Sequence, residues 1–143
     1  MNSKSVLVNE RFSQFNCAQT VFSLYASELG LDEKTALRIA SGFGGGMTRA
    51  KTCGAVTGAY MVIGLKHGHD ISDPEKKENT KMLIQKFNRE FEKRHGSLIC
   101  KKLIGFDISK PEGSEAAGKE GVFETKCLLF LKTSCEIIEK EFL

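Results

Sequence analysis

The sequence predicts an all-α fold: a compact single-domain helical bundle over residues 1–143, with a glycine-rich loop before a buried central helix. Three observations carry that prediction. Apolar residues recur at helical spacing along nearly the whole chain, strand-like alternation is absent, and only two prolines interrupt it. At 143 residues the chain suits one domain and can bury roughly 68–70% of its unfolded surface without staples.

The elements follow in order. Asn16 and Gln19 form a capping box for a helix whose stripe is Ala18, Val21, Phe22, Tyr25 and Leu29; Gly30 ends it. Asp32 caps a short helix carrying Ala36, Leu37, Ile39 and Ala40. Residues 41–48 then hold four glycines in eight positions. Thr52 starts a helix from Cys53 to Leu65 that is apolar nearly all round, the pattern of a central, buried helix. Asp73-Pro74 opens a long charged helix, Glu75 to His95, with Leu83, Ile84, Phe87 and Phe91 on one face. A short helix runs from Ser97 to about Ile104, an irregular stretch from Gly105 to Gly121, and a last helix from about Glu124 to Glu141.

The five cysteines are the chemical signal. Cys17 follows Asn16, Cys53 follows Thr52, Cys100 comes three residues after Ser97, and Cys127 comes two after Thr125. Each of the four is expected in the first turn of a helix, where the positive end of the helix dipole favours thiolate. On this basis Cys17 and Cys53 are expected to be the most reactive. Cys135, eight residues beyond Cys127 in the same helix, is about 12 Å along the axis and cannot bond it. It reads as a small core residue.

Gly54, Ala55, Gly58 and Ala59 place small residues on one helix face, so another helix can approach closely. Glycine inside a helix costs about 0.5–1 kcal/mol relative to alanine, so two of them need a reason. Gly44, Gly45 and Gly46 can aim backbone N–H groups at one anionic object, while the loop lacks a P-loop or dinucleotide fingerprint. It reads otherwise as a flexible turn. No nucleotide is expected. His95, five residues before Cys100, is an auxiliary candidate as a thiol partner. With no Cys-x-x-Cys pair, neither a thioredoxin-type motif nor attached haem is expected.

Twenty-one basic and 18 acidic residues give a net charge of +3, too small to argue for nucleic acid. Residues 1–10 hold no apolar run resembling a signal peptide, and the stretch 55–65 is about half a membrane span. A cytoplasmic location without membrane insertion is therefore expected, where cysteines act as thiols, redox couples or metal ligands.

With these residues in view, the chain resembles the C_GCAxxG_C_C family of redox-active proteins. The resemblance rests on residues 16–19 (Asn-Cys-Ala-Gln), 41–47 (Ser-Gly-Phe-Gly-Gly-Gly-Met), 53–58 (Cys-Gly-Ala-Val-Thr-Gly), Cys100, and 123–127 (Phe-Glu-Thr-Lys-Cys). It spans nearly the whole chain, and its four defining cysteines match Cys17, Cys53, Cys100 and Cys127. It implies redox activity without assigning a reaction. A related module in split-Soret cytochromes is linked with an iron–sulfur site, but the haem-attachment motifs of those proteins are absent here.

Three functions are compatible with these residues. A cysteine centre could cycle between dithiol and disulfide, with Cys17 and Cys53 as the leading pair. All four cysteines could bind an iron–sulfur cluster or another thiolate-bound metal for electron transfer or sensing. A structural or interaction module whose cysteines only pack in the core is the third. A redox partner of unknown identity is expected, and the small-residue helix face suggests a homodimer.

Overall fold

A computed structural model describes residues 3–143. The chain is helical throughout, and among the described residues the sole β-type pairing is one antiparallel bridge between Thr52 and Ile99. A 3-10 turn, Lys4–Leu7, leads into α1 (Val8–Phe12). Helix α2 (Cys17–Ala26) starts at the predicted capping box: Asn16 Oδ1 accepts from the Gln19 N–H, and Gln19 Oε1 from the Asn16 N–H. Asp32 caps α3 (Glu33–Ala40) by accepting from the Thr35 N–H.

Helix α4 (Gly54–His67) lies at the centre, as its all-round apolar surface requires, and packs on α2, α8 (Leu128–Glu141) and α5 (Pro74–His95). Its small-residue face is used inside the chain. A Cβ on Gly58 would lie 2.9 Å from the Ala18 carbonyl and 3.0 Å from Val21 Cβ. One on Gly54 would lie 2.7 Å from Cys17 Cβ. The 2.9 Å and 2.7 Å approaches are too short for a real side chain, so the two glycines set how closely α2 and α4 approach. The face that suggested a homodimer is thus occupied by α2.

Tyr25, Phe87, Phe91, Ile63, Ile104 and Leu131 form the bulk of the core. Buried Ser134 on α8 donates to the Ala55 carbonyl at 2.7 Å, tying α8 to the first turn of α4. Asp73 caps α5 through the N–H groups of Glu75 and Lys76, Pro74 occupies its first turn, and Gly96 ends it with φ +81°.

Three segments differ from the sequence reading. The stretch 105–121 contains a helix, α7 (Pro111–Lys119), begun by a proline whose missing N–H and fixed φ suit a first helical position. The short helix α6 (Cys100–Ile104) starts at the cysteine and not at Ser97, whose hydroxyl instead accepts from the Ile99 N–H. The last helix is preceded by a wide turn, Phe123–Cys127, in which the Cys127 N–H bonds back to the Val122 carbonyl.

Candidate functional site

The starts of α4 and α6 are joined by a short stretch of extended backbone. The Cys53 N–H donates to the Leu98 carbonyl at 2.8 Å, and the Cys100 N–H to the Lys51 carbonyl at 2.5 Å. These bonds flank the Thr52–Ile99 bridge and set two cysteine-bearing helix starts side by side. Gly54 lets Cys17 approach from α2, and the wide turn before α8 delivers Cys127. All four cysteines line one cavity of about 140 Å³, otherwise walled mainly by apolar side chains including Phe12, Leu103, Ile104, Ile108, Phe123 and Phe130. All five cysteines are free thiols.

The glycine loop forms part of this wall and is not a slack connector. Gly45, Gly46, Met47 and Thr48 all have positive φ, between +57° and +63°, as does Ala50 at +54°. A left-handed backbone costs roughly 1–2 kcal/mol at each non-glycine residue. A side chain at Gly46 would strike the Lys51 backbone and approach Cys100 Cβ to 3.0 Å, so glycine is required there. The run of glycines signalled an unusual backbone. That three ordinary residues share the conformation could not be read from it.

The thiols are not equivalent. The Cys17 thiol donates to the sulfur of Cys127, which raises the pKa of Cys17 and holds Cys127 below an ordinary thiol. Burial also acts on Cys17 in the upward direction. Desolvation pushes Cys53 up to about 12, against the opposing N–H groups of Ala55 and Val56, and Cys100 up to about 11. At 6% exposure each, both stay protonated at neutral pH.

These placements correct the expectation of thiolate at four helix starts. Cys53 is the cap residue of α4 and lies one position before its first turn. Burial there outweighs the dipole. Cys127 has helical backbone on both sides and its own N–H is already bonded, so its low pKa comes from Cys17 and not from a helix end.

Of the supporting glycines, Gly45, Gly46 and Gly54 line the cavity. Gly44 packs against the Asn16 side chain in an adjoining groove, and Gly58 sits one turn along α4 against Ala18. His95 does not line the cavity. Its ring packs between Phe91 and Phe130, both at 4.9 Å, and its Nε2 hydrogen-bonds Thr133 Oγ1 at 2.9 Å. The apolar lining residues were missed in the sequence because isolated Phe and Ile positions read there as ordinary core.

Residues 15–141 match the family described as "Putative redox-active protein (C_GCAxxG_C_C)". The chain belongs to that family. The family description supplies redox activity and a pattern with four cysteines, and in this chain Cys17, Cys53, Cys100 and Cys127 line one cavity. No curated protein matches the chain, and no solved structure matches it.

Among the described residues no three His, Cys, Asp or Glu side chains are grouped so as to hold a metal ion. The four thiols as placed therefore do not fit a ready-made metal or cluster site. Nor is any helix among the described residues long and apolar enough to cross a membrane.

Proposed function

We propose that this protein is a thiol–disulfide redox protein whose exchanging pair is Cys17 and Cys127. The observation that carries this reading is that Cys17 and Cys127 line the same cavity, where each acts on the other, raising the pKa of Cys17 and lowering that of Cys127. A thiolate is the attacking form in disulfide exchange, and a neighbouring thiol is the group that resolves the mixed disulfide. Cys127 supplies the first and Cys17 the second. The pair proposed from sequence, Cys17 with Cys53, is displaced because Cys53 is held protonated by burial.

Cys53 and Cys100 line the same chamber, and their raised pKa values keep them protonated and out of the first attack. The test is oxidation of the reduced protein followed by mass-spectrometric mapping. A Cys17–Cys127 cross-link, lost in Cys17→Ser and Cys127→Ser and kept in Cys53→Ser, supports the pair. A Cys53–Cys100 link, or no intramolecular disulfide, overturns it.

One observation favours a second reading. Four cysteines from four separate segments face one cavity, and like charges gathered there oppose full ionisation: Cys53 and Cys100 each raise the pKa of Cys17. A bound cation would relieve that opposition. On this reading all four thiolates would hold an iron–sulfur cluster or another metal, a grouping that the side chains as placed do not form. Anaerobic isolation with iron and acid-labile sulfide analysis separates the two, since a brown protein with labile sulfide supports the cluster and a colourless one the dithiol.

A further inference from the structure

The thiol chamber does not stand alone. A groove of about 390 Å³ adjoins it, and Asn16, Gly45 and Ile108 line both. The two spaces differ in character. The chamber is apolar apart from its sulfurs and Asn16, while the groove presents the polar side chains of Ser41, Thr48 and Ser109. At about 140 Å³ the chamber is smaller than the roughly 300–1,000 Å³ of pockets that enclose whole small molecules, whereas the groove falls in that range. Together they suit a reactant with a narrow sulfur-bearing arm and a bulkier polar body.

Charge defines the body further. Three of the segments that wall the chamber and groove, 44–53, 98–110 and 122–127, carry six basic residues and two acidic ones beside the lining residues. The other walls, residues 12–17, Ser41, Gly54 and Phe130, carry no charge. The rest of the chain has fifteen basic and sixteen acidic residues, so the net positive charge belongs to these segments. All six cations (Arg49, Lys51, Lys101, Lys102, Lys110 and Lys126) are exposed, and none is in an ion pair among the described residues. The segments are neighbours: the left-handed turn packs on α6, and α6 on the wide turn before α8. Of the two acids, Asp107 is engaged by the hydroxyl and the N–H of Ser109.

We infer that the reactant of this dithiol is a small anionic disulfide, with one CH2–S arm entering the chamber and its carboxylates held among the cations outside. This rests on the Cys17–Cys127 reading. A folded partner presenting a surface disulfide fits less well, because Cys127 is only 8% exposed and lies behind apolar walls. In the reaction the Cys127 thiolate attacks one sulfur of RSSR, forming Cys127–S–S–R and releasing RS⁻. Cys17 then attacks the Cys127 sulfur, its proton passing to the second RS⁻. The chain is oxidised to a disulfide while RSSR is reduced to two thiols, a two-electron exchange that balances.

The test compares oxidised glutathione, an anionic aliphatic disulfide, with cystamine, a cationic one, against the full reduced chain under argon. Each rate is divided by that probe's rate with 2-mercaptoethanol at the same pH. At low salt the normalised rate with oxidised glutathione should exceed that with cystamine about tenfold, within the range of electrostatic steering, and the excess should collapse at high salt. Lys101→Glu/Lys110→Glu should abolish the preference, and Lys76→Glu/Lys77→Glu on α5 should leave it intact. Equal normalised rates, or faster cystamine, with the Cys17–Cys127 disulfide still forming, overturn the ligand class alone. Absence of that disulfide with either probe overturns the dithiol reading and this inference with it.

Discussion

Cys127 and Cys135 occupy the same C-terminal helical run, eight residues apart, and their thiols are shifted in opposite directions. Cys127 sits at the start of α8 with the Cys17 thiol donating to it, and its pKa is lowered. Cys135 is fully buried in mid-helix, and desolvation pushes it up to about 12 against the opposing effect of the Tyr25 hydroxyl, which donates to the Cys135 backbone carbonyl at 3.5 Å. Tyr25 also donates to Glu139, which in turn accepts from the Lys4 N–H, so this cysteine belongs to a network that fastens the N-terminal turn. Neither helix membership nor burial alone separates the two. The neighbouring thiol of Cys17 does.

The largest break in that comparison should come from removing the donor. Cys17→Ala eliminates the hydrogen bond that lowers Cys127, so the thiolate fraction at pH 7 must fall. Alkylation of Cys127 by iodoacetamide at pH 7 should slow severalfold, because its pKa rises toward that of an ordinary thiol, while Cys135 stays inert. An unchanged Cys127 rate would assign its low pKa to something other than Cys17.

Overpacking the α2–α4 contact should give the next largest effect. Gly54→Ala would place a Cβ 2.7 Å from Cys17 Cβ and 2.8 Å from the Ala18 backbone nitrogen. Thermal or urea unfolding should show a loss of about 1–3 kcal/mol. Because the clash displaces Cys17, Cys127 reactivity should fall in parallel, whereas Cys135 should still label only on unfolding. Gly58→Val should destabilise to a similar degree without touching the sulfur pair directly. Full stability in both variants would show that the two helices are not in close contact.

Tyr25→Phe should sharpen the other side. It removes a hydroxyl shared between Cys135 and Glu139 and should cost about 1 kcal/mol, the usual net worth of one hydrogen bond. Since that hydroxyl lowers the Cys135 pKa, its loss should make this thiol less acidic still. Faster labelling of Cys135 in the folded variant would contradict the network described here.

The smallest effect is a control at His95. Burial first, then Arg94, lowers its pKa below the usual histidine value. A depressed folded pKa favours the fold above the unfolded pKa, near 6.5, and that contribution is lost as pH falls through the folded value. The wild type should therefore lose stability as pH falls below about 6.5, and His95→Gln should flatten that slope. Cys17–Cys127 disulfide formation should be unchanged, because His95 lies behind Phe130 and outside the cavity.

Much of the fold was legible because its signals are local. The Asn16–Gln19 box, the Asp32 and Asp73 caps, Gly30 and Gly96, and the all-round apolar surface of α4 each state a helix boundary or a burial within a few residues. The site was legible as far as which cysteines belong together, through their motif and the small residues at Gly54 and Gly58. Their chemistry was not, because a thiol's pKa depends on what lies beside it in space. Desolvation of Cys53 and donation from Cys17 to Cys127 are tertiary facts joining residues as much as 110 positions apart. The left-handed run through Met47 and Thr48 was hidden for a related reason. Local propensity disfavours it, and the surrounding contacts impose it.

The most direct test of the account is a pH titration of labelling at every cysteine of the reduced, metal-free protein, resolved by mass spectrometry. Cys127 should react with the lowest midpoint of the five, below that of an ordinary thiol near 8.5, and that midpoint should rise in Cys17→Ala. Cys53, Cys100 and Cys135 should stay unreactive until well above pH 9. If Cys53 or Cys135 labels first, or if the Cys127 midpoint ignores the loss of Cys17, the paired-thiol account of this site is wrong.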